Sequence, residues 1–165
     1  MTDRYGAITA MLPCPVVIVT AAAGERRDAM TATAFFVSEV PPLISVSIAA
    51  HHLTAELIQQ TGEFVVNVAT PEQVDLVRRL GSAHGRDVDK FEKFGLSTLP
   101  SKIAAAPRLA GSYVSVECRV VGSYPAGTYR LYIAEILADA LETDQAPLLW
   151  HRGRFFSMGA EVGST

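Results

Sequence analysis

The sequence predicts a mainly β fold, an antiparallel barrel with a few peripheral helices. Six or seven strand-like segments are spread along the 165 residues. They occur as adjacent hairpins rather than in alternation with helices, a pattern typical of antiparallel sheets. Neither G-x-G-x-x-G nor G-x-x-x-x-G-K-[ST] is present, so a doubly wound or P-loop nucleotide site is not indicated. The length and the 49% hydrophobic content suit a single domain spanning residues 1–165.

The first half of the chain predicts a hairpin, a third strand, a short helix and a fourth strand. Residues 16–20 and 30–37 are rich in β-branched and apolar side chains, flank a turn at Gly24 and should pair with each other. Residues 43–49 form the third strand. Thr54 is placed to cap a helix that ends near residue 60. The predicted fourth strand covers residues 63–69.

The second half predicts one more helix, a long excursion and a second hairpin. A threonine cap, a proline and a glutamine at residues 70–73 start a helix that ends near residue 80. Residues 81–112 form the excursion, with short helical turns near 87–93. Strands follow at 112–121 and 129–137 around a turn at 123–127, and the last short strand covers 155–158.

Composition and charge exclude several classes of function. The net charge is −3 and no like-charge block occurs, so we expect no nucleic-acid partner.

The apolar stretch at residues 7–24 resembles a signal peptide, but Pro13 and Pro15 interrupt it and its β-branched run favours a strand. We therefore expect a cytoplasmic protein without a membrane segment. Four histidines and two cysteines predict no metal site, and Cys14 and Cys118 are expected to be buried thiols, with a disulfide or redox pair as the alternative.

The segment Thr31-Ala32-Thr33-Ala34 is the first candidate binding element. Small side chains on a strand let a flat ligand ring approach the backbone, and the threonine hydroxyls add hydrogen-bonding groups. The alternative is a tightly packed strand without a ligand.

Two further segments are candidates for phosphate binding. Thr54 follows "AAHHL" at a helix start, where free N–H groups and the helix dipole favour an anion. Arg86 and Lys90 are four residues apart, so on a helical turn they would share a face and could clamp a phosphate. The alternatives are an ordinary helix cap and a solvated loop whose cations pair with Asp87 and Asp89.

The segment "LLWHRGRFFSMG" at residues 148–159 combines aromatic rings with one titratable group, His151. The alternative is a final strand with two core aromatics and an exposed histidine. Nothing in the chain indicates a Ser-His-Asp or Cys-His nucleophile.

These segments, in this order, carry a resemblance to a known family. "VVIVT", "MTATAF" with "VPPLISVSI", "TAELIQQTGEFVVNV", "GRDVDKFEKFGL", "VECRVV" and "LLWHRGRFFSMG" together resemble the flavin reductase-like, FMN-binding split-barrel family, and its flavoredoxin-type members most of all. The resemblance covers residues 8–160. It implies a Greek-key split β-barrel that binds FMN.

The resemblance also assigns site residues. The strand of small residues would hold the isoalloxazine ring and the ribityl chain. The end of the next strand and the helix start that follows it would contact the ribityl chain and the phosphate. The polar loop would also contact the phosphate. His151 would orient a nicotinamide nucleotide near the open face of the flavin, beside Phe156. The residues implied to bind the cofactor are Thr31, Ala32, Thr33, Ala34, Ser47, Ile48, His52, Thr54, Arg86, Lys90 and Phe156.

The function implied is an NADH- or NADPH-dependent FMN reductase, with FAD as a possible replacement for FMN. A homodimer is expected, and a monooxygenase component is one partner that the resemblance allows. The alternatives are a non-enzymatic FMN electron carrier of flavoredoxin type and a barrel that has lost its flavin.

Overall fold

The computed structural model of the protein describes residues 10–163, so residues 1–9 and 164–165 of the predicted domain lie outside the described residues. The strands are β1 Cys14–Ala23, β2 Arg26–Ser38, β3 Leu43–Ala49, β4 Glu63–Val68, β5 Thr98–Leu99, β6 Arg108–Leu109, β7 Val114–Ala126, β8 Tyr129–Leu141, β9 Leu148–His151 and β10 Arg154–Ser157. The helices are α1 Leu53–Thr61, a 3-10 turn at Pro71–Gln73, α2 Val74–Ser82 and α3 Lys90–Phe94.

Six of these strands close into an antiparallel barrel in the order β1-β2-β3-β8-β7-β4. Closure depends on β4, which returns beside β1 and pairs Val17 with Val68 through Thr20 with Val65. Three strands joined in succession and a fourth beside the first make a Greek key. The start of β1 leaves the barrel and pairs with the β9–β10 hairpin. The predicted split-barrel fold is confirmed.

The core is divided into two layers because successive residues of a strand point to opposite faces. Met30 and Ala32 of β2 point into the barrel, where they join Val46, Ile48 and the other interior side chains. Ala29 points outward into a second cluster, in which α2 and α3 pack on the outside of the barrel. The outer face of β2 therefore lies under a helix. No helix within residues 10–163 is long and apolar enough to cross a membrane.

The predicted elements are present, with two main differences in the second half of the chain. The predicted turn at 123–127 is wrong because β7 continues to Ala126, and the hairpin reverses at Gly127, which has φ 62°. Strand β9 was not predicted. It joins β10 through Arg152 and Gly153, whose φ values of 52° and 74° fit the two-residue type I′ turn that matches strand twist.

The excursion between α2 and β7 is anchored by a buried carboxylate on β7. Glu117 accepts hydrogen bonds from the backbone N–H groups of Lys102, Ile103 and Ala104 at 2.7, 2.6 and 2.9 Å. Burial of the carboxylate opposes its ionisation, but these donors outweigh the burial, and the pKa of Glu117 lies below its ordinary value. The outward face of β7, polar in sequence, is thus covered at Ser115 and Glu117, whereas Arg119 on the same face is exposed.

Candidate functional site

A cleft of about 530 Å³ lies on the outside of the barrel, between β2, β3 and α2, with the β9–β10 hairpin at one end. Its lining is mainly small and aromatic. The lining residues are Val16, Met30, Thr31, Ala32, Thr33, Ser47, Ala49, His52, Val77, Arg78, Leu80, Gly81, Tyr129, Trp150 and Phe155.

The floor of this cleft is a flat patch of small side chains from two neighbouring strands. Thr31 and Thr33 are the outward residues of β2, since Ala32 and Ala34 pack against the barrel core. The register that pairs Ala34 with Val46 places Ser47 beside Thr33 and continues to Ala49. None of the four floor residues is larger than threonine, so a planar group can lie directly on the sheet.

The small residues at 31–34 therefore have two different roles. Of the predicted set Thr31, Ala32, Thr33 and Ala34, only the two threonines present side chains to the cleft. The side chain of Ile48 also points into the barrel, where it is fully buried. Ala32, Ala34 and Ile48 can contribute backbone groups alone, whereas the exposed Ser47 presents its hydroxyl.

Helix α2 forms the wall of the cleft and is tied to its floor. The hydroxyl of Thr31 donates a 2.6 Å hydrogen bond to the carbonyl of Val77 on α2. A Cβ added at Gly81 would lie 3.9 Å from the Thr31 Cβ, so the helix already runs close to the strand. The Thr31 hydroxyl is therefore hydrogen-bonded to the helix. Of the two threonines on the floor, Thr33 is the one whose hydroxyl has no hydrogen-bond partner among the described residues.

Two aromatic rings close one end of the cleft. Trp150 and Phe155 are directly opposed in the β9–β10 hairpin and share the face that lines the cleft. His151 and Phe156 belong to the other face of this two-stranded unit, with ring centroids 6.2 Å apart. The side chains of His151 and Phe156 therefore point away from the cleft of their own chain, and their placement beside a ligand stays a prediction.

A group of histidines lies at the opposite end. His52 lines the cleft and has ring-centroid distances of 4.5 Å to His51 and 6.1 Å to His84. Burial and the neighbouring His51 and Lys90 lower the pKa of His52, so its ring is neutral at pH 7. A second hollow of about 170 Å³, lined by these histidines and Arg86, adjoins this end.

The start of α1 is capped by a carboxylate from β2. Asp28 accepts hydrogen bonds from the N–H and the hydroxyl of Thr54, at 3.1 and 2.6 Å. Thr54 is therefore the second helical residue and fully buried, while His52 occupies the N-cap position. The use of the Thr54 cap for phosphate stays a prediction, and in this structure both Thr54 donors are hydrogen-bonded to Asp28.

Lys90 is the cation that balances this carboxylate. Its Nζ lies 3.1 Å from Oδ1 of Asp28 and donates a 2.8 Å hydrogen bond to the carbonyl of Ala29, and its side chain has no exposed surface. Lys90 and Arg86 do not share a face, since α3 begins at Lys90 and Arg86 lies in the preceding loop. The phosphate clamp by Arg86 and Lys90 stays a prediction, and in this structure the Lys90 ammonium is engaged by Asp28 and Ala29.

Arg86 remains half-exposed beside the histidines. Its guanidinium pairs with Glu56 at 2.8 Å and donates a longer bond to the carbonyl of His51. It borders both the histidine hollow and a larger, open hollow formed with Arg26 and Arg27. No cluster of three metal-ligating side chains occurs within residues 10–163.

The fold and the site together define an antiparallel β-barrel with a flat cleft on its outer face. The model of the family described as "Flavin reductase like domain" matches residues 9–159. The chain belongs to the flavin reductase-like family, as its sequence motifs predict.

Two relatives and one structure illustrate the likeness. The chain is 34% identical over 158 residues to the NADH-dependent FMN reductase AsuE2 of Streptomyces nodosus subsp. asukaensis, covering 90% of this chain and 80% of that one. It is 29% identical over 160 residues to the reductase component of 4-hydroxyphenylacetate 3-monooxygenase of Escherichia coli, covering 96% and 93%. The NADH:FAD oxidoreductase SgcE6 of Streptomyces globisporus C-1027 has the same fold, with a TM-score of 0.87, 22% identity and coverage of 96% and 95%.

Proposed function

We propose that the protein is an NAD(P)H-dependent flavin reductase that binds FMN in the cleft between β2 and α2. The observation that carries the proposal is the flat floor of Thr31, Thr33, Ser47 and Ala49 facing the rings of Trp150 and Phe155. The 34% identity to a relative named as an NADH-dependent FMN reductase supports FMN and NADH as the first choices.

The residues present fit a flavin. The cleft is within the range of about 300–1,000 Å³ that small-molecule sites occupy. Its floor admits a planar ring, and the hydroxyls of Thr33 and Ser47 can orient the ring edge. Bound flavin supplies the redox chemistry, taking up the hydride that a reduced nicotinamide gives up. The chain needs no nucleophile for this step, and its part is to hold two rings face to face with water excluded.

We place the flavin phosphate at the histidine end of the cleft. His52 lines that end, and Arg86 borders the hollow beyond it. Lys90 and Thr54 act indirectly in this proposal, because they fix Asp28 and with it the start of α1. We assign no role to His151 in this cleft, since its side chain is on the other face of the β9–β10 hairpin.

We also propose a homodimer. Strand β2 has three consecutive apolar residues just before its last residue, Phe35, Phe36 and Val37, which are 44%, 70% and 41% exposed. Apolar side chains grouped in this way favour a protein partner. Light scattering should give about twice the 17.7 kDa chain mass, and Phe36→Ser should shift the mass toward that of one chain. A wild-type monomer at all concentrations would refute this part of the proposal.

For the destination of the electrons, we propose that reduced flavin leaves for a separate monooxygenase component. The Escherichia coli relative is named as such a reductase component. We also propose a cytoplasmic location, where reduced nicotinamide nucleotides are available and where the two free cysteines would stay reduced.

The test is anaerobic reduction of FMN by the purified protein. Wild type should bind FMN, and NADH or NADPH should bleach its absorption. Thr33→Phe, which fills the floor, should lose FMN affinity by at least tenfold, whereas Thr98→Phe, the same change on the exposed strand β5, should not. Bleaching by dithionite but by neither nucleotide would favour the electron-carrier alternative. Absence of FMN and FAD binding at tens of micromolar would refute the flavin proposal.

A further inference from the structure

Among residues 10–163, Arg78 carries the only guanidinium that lines the cleft, and their lining side chains include no carboxylate. It extends from α2 toward the aromatic end, where its Cζ lies 5.4 Å from the ring centroid of Phe155. His52, at the other end, is neutral at pH 7 because its pKa is lowered by burial. Arg78 therefore makes the aromatic end the cationic end of the cleft.

The guanidinium of Arg78 is not committed to another group among the described residues. Its ionic neighbour is Asp75, whose Oδ1 lies 3.6 Å away, beyond hydrogen-bond distance, on a side chain that is 89% exposed. By contrast, Arg27, Arg86 and Arg108 have carboxylate partners at 3.0, 2.8 and 2.6 Å. An exposed ion pair with this separation contributes little to stability, and a ligand can easily replace Asp75 as the partner of Arg78. The free donors of Arg78 are thus available to a ligand.

The two ends of the cleft differ in what they can hold. Val16 pairs with Thr33 and Cys14 pairs with Trp150, so Trp150 and Phe155 lie at the Thr33 end of the floor. His52 lies near Asp28, at the other end of the same stretch of β2. A ligand phosphate at the histidine end would be separated from Arg78 by the length of the floor. Arg78 is therefore placed for a second anionic group.

We propose that Arg78 binds the diphosphate of the reduced nicotinamide nucleotide and is a determinant of its affinity. This inference rests on the proposed function. A guanidinium offers paired N–H donors that match phosphate oxygens, and stacking on Phe155 holds its plane in place. The nicotinamide ring can then reach the flavin while the charged part of the nucleotide stays at the rim. Arg78 acts on binding of the nucleotide and not on the transfer of hydride.

The experiment compares Arg78→Gln with Arg79→Gln, the neighbouring arginine on the same helix. Arg79 is a matched control because its guanidinium lies over Phe94, 5.3 Å from the ring centroid and away from the cleft. Anaerobic stopped-flow reduction of the FMN-loaded protein is measured over a range of NADH concentrations. Arg78→Gln should raise the NADH concentration needed for half-maximal rate by roughly tenfold and leave the maximal rate unchanged. Arg79→Gln should behave as wild type.

Further readouts separate this role from a structural one. Added salt should weaken NADH binding in wild type and have much less effect in Arg78→Gln, and Arg78→Lys should fall between the two. The affinities for FMN and for riboflavin should not change in Arg78→Gln. A loss for FMN alone would overturn the inference by placing Arg78 on the flavin phosphate, and equal behaviour of the two glutamine variants would also overturn it. Failure of wild type to be reduced by either nucleotide would instead refute the proposed function, and this inference with it.

Discussion

Replacing Glu117 by glutamine should destabilise the protein far more than its small change in shape suggests. The carboxylate accepts three backbone N–H groups, one through Oε1 and two through Oε2. Glutamine keeps one acceptor oxygen, but its NH₂ group must face the remaining N–H. The part-buried N–H of Lys102 then loses its partner, at about 1–3 kcal/mol, and two charge-assisted bonds become neutral ones, at about 1 kcal/mol together. We expect Glu117→Gln to lower the free energy of unfolding by about 2–4 kcal/mol.

Chemical denaturation at pH 7 measures this loss, and Glu63→Gln is the matched control. Glu63 lies on the adjacent strand β4 and pairs at 3.1 Å with Arg119, whose side chain is 54% exposed. A surface pair of this kind contributes about 0–1 kcal/mol. The reasoning would be refuted by equal losses in the two variants.

The pH dependence provides a second test. Because the pKa of Glu117 is lower in the folded protein than its ordinary value of 4.5, the folded state binds this proton less tightly than the unfolded state. The stabilisation is therefore complete above about pH 4.5 and is lost as the pH falls through the folded-state pKa. The difference between wild type and Glu117→Gln should be constant from pH 7 to about pH 5 and should decrease below it. A difference that stays constant down to pH 3 would contradict the assignment.

Three other predictions concern the interior. Asp28→Asn should lower the free energy of unfolding by about 3–5 kcal/mol, because it leaves the buried Lys90 without its counter-charge. In a denaturation experiment, combining it with Lys90→Met should recover part of this loss. Gly85→Ala should lower the melting temperature, since its Cβ would lie 2.3 Å from Oδ1 of Asp28, whereas Gly81→Ala, with 3.9 Å of space, should not. Burial raises the pKa of Cys118 to about 12, so this thiol should resist a disulfide reagent at pH 8 until the protein is denatured.

The sequence predicts the order and type of most elements because their signals are local. Alternation, β-branched runs and turn residues define β1, β2, β3 and β4 to within a few residues. Barrel closure has no such signal. It depends on β4 lying beside β1, a contact between segments far apart in the chain, and the family resemblance supplied it where the local pattern did not.

The site could be predicted in part. The small residues at Thr31 and Thr33 indicated the floor, but the other half of the floor, Ser47 and Ala49, follows only from the register between β2 and β3. Residues 150–156 alternate too briefly for their faces to be assigned from sequence, so the position of Trp150 and Phe155 at the cleft could not be predicted.

The charged residues were the least predictable part of the site. The sequence indicated that Thr54 and Lys90 are accessible groups, because nothing in their own segments indicates a contact with Asp28, their common partner on β2. A charge pair between distant segments leaves no periodic pattern in either one. Arg78 was missed for the opposite reason, since a single arginine on an amphipathic helix looks like an ordinary solvent-exposed residue.

The alternation of β2 has a consequence for how the protein can be altered. One set of its side chains, including Met30 and Ala32, belongs to the barrel interior, while the intervening Thr33 belongs to the cleft floor. A substitution at Thr33 therefore alters the surface that a ligand would contact without disturbing interior packing. Libraries that vary Thr33 and Ser47 should yield folded proteins at high frequency, because neither side chain is part of the interior packing, so the ligand preference of the cleft can be altered separately from the fold.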